Sequence, residues 1–166
     1  MKTKKLVTAA FLAAIMFVSQ VAISFLPNIE PVTLMVILFT LVFGMKQSLT
    51  VIYLFAALEG LFYGFGIWWF MYLYVWTILA VAVWLCRKNN SVIVWAVIAG
   101  FYGLCFGALC AIPYGIIGGF YAGVAYWVAG IPFDIAHCVG NVLMIFLLFT
   151  PMKKVLEKAK TMTFRQ

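Results

Sequence analysis

Acidic side chains are nearly missing from this chain. Four carboxylates, Glu30, Glu59, Asp134 and Glu157, stand against eleven Lys and Arg in 166 residues, and charged residues of both signs make up only 9%. Together with 67% hydrophobic residues, that scarcity excludes an ordinary soluble domain. Histidine occurs once, at His137, so a multi-histidine metal site cannot form. The cysteines, Cys86, Cys105, Cys110 and Cys138, contain no C-x-x-C pair and lie within or at the ends of apolar segments. They read as small buried hydrophobes rather than as zinc ligands or a disulfide framework. A Walker glycine loop, G-x-S-x-G and H-E-x-x-H are all missing. Ser24, Thr33 or Cys138 could in principle join Asp134 and His137, but no nucleophile motif surrounds them. We therefore expect no catalytic activity, no cofactor and no metal.

What charge there is has a pattern. The basic residues fall in four patches: Lys2/Lys4/Lys5, Lys46, Arg87/Lys88, and Lys153/Lys154/Lys158/Lys160/Arg165. Between them run apolar tracts 6–45, 47–86 and 89–152, of 40, 40 and 64 residues. One crossing of a bilayer takes roughly 20 apolar residues, so each tract can leave a membrane surface and return to it. If each tract is a hairpin, every Lys and Arg lies on one face, which the positive-inside rule makes cytoplasmic. The expected fold is all-α, with six transmembrane helices, both termini cytoplasmic, a membrane domain over 1–152 and a basic tail over 153–166. The net charge of +7 sits where anionic headgroups favour it, which argues against nucleic acid as a partner. The tracts are continuous rather than alternating, which disfavours a β-barrel. Met1–Val21 resembles a signal peptide but lacks a clear cleavage region before Pro27, so it reads as a retained helix.

Along the chain, the first helix is expected over Leu6–Phe25, stopped by Pro27, with a rigid outer loop at Pro27-Asn28-Ile29-Glu30-Pro31. Val32–Phe43 is short for a span and is expected to start below the outer surface. Gly44–Lys46 makes an inner turn, a third helix runs to Tyr63, and Gly64-Phe65-Gly66 turns outside. A fourth helix spans Trp68–Cys86 and a fifth Val92–Ile112, ending before Pro113. Pro113–Gly130, rich in glycine and aromatics, is expected to pack as a lid at the outer mouth. The sixth helix is expected to start near Pro132, end at Thr150-Pro151 and leave a frayed amphipathic tail.

Three acids lie inside the apolar tracts, and intramembrane ionisable residues face a polar cavity or a partner. Asp134, His137 and Asn141, spaced by three and four, share one helical face. They suit either hydrogen bonding to a polar ligand or a helix–helix clamp. Glu59 stands among Phe55, Leu58, Leu61 and Phe62 with no basic neighbour, leaving His137, a hydroxyl or a ligand as its partner. Glu30 is either a ligand contact or a solvated loop residue. Trp68, Tyr72, Trp76 and Tyr126 belong to two aromatic groups that suit an interfacial belt or the lining of a pocket for a flat ring. Ala9, Ala10, Ala13 and Ala14 give two overlapping A-x-x-x-A pairs, and Gly60/Gly64, Gly103/Gly107 and Gly115/Gly119/Gly123 are spaced alike. Such stripes allow close helix approach, internally or to a partner.

These residues resemble the substrate-binding S components of energy-coupling factor (ECF) transporters. The resemblance rests on the six-helix plan, the basic N-terminus running into Leu6-Val7-Thr8-Ala9-Ala10-Phe11-Leu12-Ala13-Ala14, and the loop Pro27–Pro31. The last helix, opening Gly130-Ile131-Pro132-Phe133-Asp134 and carrying Asn141, fits as well. It implies a bacterial plasma-membrane subunit that captures a vitamin-like solute and delivers it while docked to a coupling subunit and two ATPases. By that analogy the alanine stripe docks the coupling subunit. Glu30, Glu59, Trp68, Tyr72, Trp76, Tyr126, Asp134, His137 and Asn141 would then contact the ligand. The nickel and cobalt members carry an early His that Met1-Lys2-Thr3 lacks, so a bare metal cargo is not implied. Fingerprints of the riboflavin, thiamine and biotin members do not match, leaving a cobalamin-type ligand, a B6 vitamer, pantothenate or a nucleobase-like compound. A self-sufficient proton-coupled carrier or channel using Glu59, Asp134 and His137 is the alternative. An intramembrane enzyme using Asp134 and His137 is a more distant one.

Overall fold

A computed structural model of the chain describes residues 2–26 and 29–164. Pro27 and Asn28 of the expected outer loop, the side chain of Lys2, and Arg165 of the last basic patch lie outside the described residues. The described residues form seven helices: α1 (Lys2–Ala22), α2 (Val32–Phe43), α3 (Met45–Tyr63), α4 (Ile67–Tyr72), α5 (Val75–Leu85), α6 (Val92–Gly118) and α7 (Phe120–Phe164). Four stretches, Thr3–Ala22, Ile67–Leu85, Val92–Gly118 and Phe120–Phe164, are long and apolar enough to cross a membrane, and α2 is a shorter apolar helix. The protein is thus all-helical and of membrane-protein character.

Packing follows from which faces are apolar and small. α2 is the central element: ten of its twelve residues are buried, and it touches α1, α3, α5 and α7. On α1, Ala9, Leu12, Ala13 and Met16 are buried, with α3 as the main neighbour, while Leu6, Val7, Phe11, Ile15 and Val18 are exposed. The α6–α7 pair is the most extensive contact, and glycines allow it. A Cβ at Gly103 would stand 2.7 Å from the backbone nitrogen of Cys138, and one at Gly123 would stand 3.0 Å from Gly115 Cα. The stripes at Gly103/Gly107 and Gly115/Gly123 are therefore internal seams.

Two corners need glycine for another reason. Gly44, joining α2 to α3, has φ +87° and ψ 164°, and Gly119, joining α6 to α7, has φ +87° and ψ 167°. That region is open essentially to glycine alone. At the first corner the Gly44 amide donates to the Thr40 carbonyl (3.1 Å), and Thr40 Oγ1 lies 2.8 Å from Ser48 Oγ across the turn.

The end of the chain departs from the sequence expectation. α6 does not stop before Pro113 but runs to Gly118, and the supposed lid over Pro113–Gly130 is helix on both sides of Gly119. The last helix does not begin at Pro132 or end at Pro151; α7 passes through both and carries the expected frayed tail as regular helix to Phe164. A proline inside a helix removes one donor and leaves the carbonyl four residues earlier without its amide. For Pro113 that carbonyl belongs to Leu109, and the Tyr74 hydroxyl donates to it at 2.7 Å. Such substitution of a lost amide is what lets proline persist in apolar helices. The expected fourth helix is instead split at Leu73–Tyr74 into α4 and α5, where the Tyr74 amide donates to Met71 O over three residues (3.1 Å).

Candidate functional site

The polarity of the bundle positions the site. Lys5, Lys46 and Lys160 come from three elements to line one cleft of about 540 Å³, with Leu6, Phe43 and Phe164 supplying apolar surface. Lys160 Nζ donates to the Val42 carbonyl at 2.7 Å, a group freed at the end of α2. Three of the four basic patches thus meet at one end. Thirteen residues of α3 separate Lys46 from Glu59, about 20 Å of helix, so the buried acid lies towards the other end.

At that other end Glu30 precedes α2 and His137 enters from α7. Glu30 Oε1 is 3.6 Å from His137 Nε2, just beyond hydrogen-bond distance. Thr33 Oγ1, one helical turn on from Glu30, lies 3.4 Å from the same nitrogen. Burial, with the negative charge of Glu59 adding to it, pushes the Glu30 carboxyl from 4.5 up to about 7. Glu59 is 2% exposed, and its Oε1 has no hydrogen-bond partner within the described chain.

Aromatic rings enclose this polar cluster. Tyr72 packs edge-on against Trp68 (5.4 Å) and Trp76 (5.8 Å), and Phe55 stacks on its other side (5.9 Å). Trp76 continues to Tyr102 (5.9 Å) and Phe106 (5.5 Å), and Phe106 meets the His137 ring at 4.8 Å. Trp76 Nε1 and the Tyr102 hydroxyl are buried without partners among the described residues. A cavity of about 390 Å³, lined by Gln20, Ser24, Glu30, Tyr63 and Tyr72, opens on one side of this wall. On the other, about 370 Å³ is lined by Phe106, Gly107, Cys110, Tyr126, Phe133 and Asp134.

The sequence-derived candidates divide accordingly. Glu30, Tyr72, Trp76 and His137 come together, Trp68 backs Tyr72, and Glu59 acts on Glu30. Asp134 and Asn141 share the inward face of α7 with His137 but serve first as clamps. Gly107 N–H donates to Asp134 Oδ1 (2.8 Å), and Asn141 Nδ2 donates to the Ala99 carbonyl (3.0 Å). Asp134 keeps a second oxygen unpartnered, so the clamp uses only half of its carboxylate. Tyr126 stacks on Tyr114 at 4.1 Å and lines the second cavity beside Asp134, away from Tyr72. The alanine stripe is split: Ala9 and Ala13 are buried inside the bundle, and only Ala10 and Ala14 are exposed.

Gln20, Thr33, Tyr102 and Phe106 complete the cluster and were not singled out as ligand contacts from sequence. Gln20, the lone amide of its apolar helix, donates from Nε2 to the Tyr72 hydroxyl at 3.2 Å. Tyr102 and Phe106 repeat the four-residue aromatic spacing of Tyr72 and Trp76, a signal that was available. No family model, curated protein or solved structure matches the chain.

Proposed function

We propose that the chain is the substrate-binding S component of an ECF-type importer, taking a small, ring-containing, vitamin-like solute from outside and releasing it inward. A transmembrane coupling subunit and two ATPases supply the energy, since the chain has no motif that binds ATP. In this reading the helices make six crossings of a bacterial cell membrane, α4 and α5 sharing one, with the basic end and both termini cytoplasmic. Ala10 and Ala14, beside Phe11 on the exposed side of α1, form the docking face for the coupling subunit. A cobalamin-type compound, a B6 vitamer and a nucleobase-like compound are the ring-containing candidate cargoes; pantothenate, also left open by the sequence, has no ring.

The observation that carries the proposal is the Glu30–His137 pair walled by Tyr72, Trp76, Tyr102 and Phe106 at the end of the bundle away from the lysines. Intramembrane polar groups left without partners by their own chain are costly, and a bound solute supplies what they lack. Aromatic walls with a few convergent polar groups suit a small heterocycle. The proximity of Glu30, Glu59 and His137 also suits a proton-coupled carrier, which would move solute in liposomes containing this chain alone.

Mass spectrometry of the small molecules that co-purify with the chain tests the proposal. One dominant compound is expected, lost from Trp76→Ala and His137→Ala proteins that still elute as folded monodisperse species. Liposomes of the purified chain should bind that compound without accumulating it. Uptake without ATPases would favour the carrier, and the lack of any retained compound would count against a binding role.

A further inference from the structure

Resting on that binding role, we infer that the solute is a ring compound bearing a positive charge or a protonated amine, held by carboxylates and aromatic faces. The geometry of charge supports this. Each cavity flanking the aromatic wall contains one carboxylate, Glu30 in the first and Asp134 in the second. Asp134 is 5% exposed, and Oδ2, the oxygen left over from its clamp, has no partner among the described residues. Glu59, buried like Asp134, adds a third carboxylate whose Oε1 has no partner among the described residues, and Gln20 presents a carbonyl oxygen likewise unpartnered in the lining of the first cavity.

Among the described residues three buried acceptors are unmet, Gln20 Oε1, Glu59 Oε1 and Asp134 Oδ2, against two donors, Trp76 Nε1 and the Tyr102 hydroxyl. Among the described residues the site holds no fixed positive charge. Lys5, Lys46 and Lys160 share the far cleft, and Lys153 is nineteen residues, about 28 Å of helix, from Asp134. Arg87 and Lys88 follow α5 beyond its far end from Trp76. A carboxylate or phosphate would thus enter beside three acidic side chains with no Lys or Arg to pair with, which low-dielectric surroundings disfavour. A cation meets the opposite situation. It supplies the missing counter-charge, and the faces of Trp76, Tyr72 and Phe106 attract it as well. The Phe106 ring contacts Trp76 and His137 and also lines the Asp134 cavity, so the aromatic surface is continuous from one carboxylate to the other.

The test uses the full chain in detergent and a matched ring series: benzylamine and benzyltrimethylammonium as cations, benzyl alcohol as the neutral member and benzoate as the anion. Melting temperature is followed as each is titrated. The cations should stabilise the protein, with benzyl alcohol weaker and benzoate without effect. Glu30→Gln and Glu59→Gln, which keep side-chain volume, should weaken the cation response roughly tenfold, as expected for loss of a buried counter-charge. Glu157→Gln, on the far stretch of α7, should leave it unchanged. A response to benzoate equal to that of the cations, or to no member of the series, overturns the inference. Failure of this inference is separable from failure of the binding role. A co-purifying anion would reject the cation and keep the role, whereas no retained compound together with no response would reject both.

Discussion

Tyr74 gives the Leu109 carbonyl the donor that Pro113 cannot, and the energetic meaning of that bond depends on the proline. Tyr74→Phe should cost about 1 kcal/mol, the usual net worth of a half-buried hydrogen bond. In a Pro113→Ala background the amide of residue 113 regains its role and the cost should fall close to zero. A double-mutant cycle of unfolding free energies reads this coupling, and additive effects would refute it. The residues legible in the sequence were those whose chemistry is out of place in an apolar tract: Glu30, Glu59, Asp134 and His137. What each touches was not legible, because partners come from helices far apart in the chain. Asp134 spends one oxygen on the Gly107 amide, and Asn141 its side-chain amide on Ala99, bonds to plain backbone that no side-chain pattern announces. Ala9 and Ala10 looked equivalent in sequence, yet one faces the core and the other the exterior.

Helix positions were legible wherever an apolar run met glycine or a loop, and misread where proline stood inside a run. Reading Pro113, Pro132 and Pro151 as boundaries gave a lid and a frayed tail; α6 and α7 pass through all three. The true boundary between them is Gly119, whose backbone conformation rather than its missing side chain is decisive. Nothing lies within 4 Å of a Cβ built there, so Gly119→Ala creates no clash and any loss must come from the backbone. That substitution should cost about 1–3 kcal/mol. Gly130→Ala, in open space within α7, should be neutral or slightly stabilising, because alanine favours a helix over glycine. Thermal unfolding of the two variants side by side checks the contrast, and equal effects would place the strain elsewhere.

At the scale of the molecule, the basic patches predicted a one-sided protein, and three of them do converge on the cleft of Lys5, Lys46 and Lys160. The fourth supplies a test of the proposed topology. Cys86 is exposed and adjoins Arg87, whereas Cys110 is buried. With Cys86 as the sole cysteine, a membrane-impermeant maleimide should label inside-out vesicles and spare intact cells. Labelling of intact cells would place the Arg87 turn outside and reverse the orientation. α7, about 68 Å long, exceeds a hydrocarbon core of about 30 Å, so it joins His137 to the lysine-bearing end as one continuous helix. α2 raises the opposite problem of length. Its twelve residues cover about 18 Å, too little to hold a place in lipid alone, and its buried circumference gives it almost no lipid-facing side. It becomes stable only once α3, α5 and α7 surround it, although the ribosome makes it before all three. Full burial of the second helix therefore waits until the last helix is made.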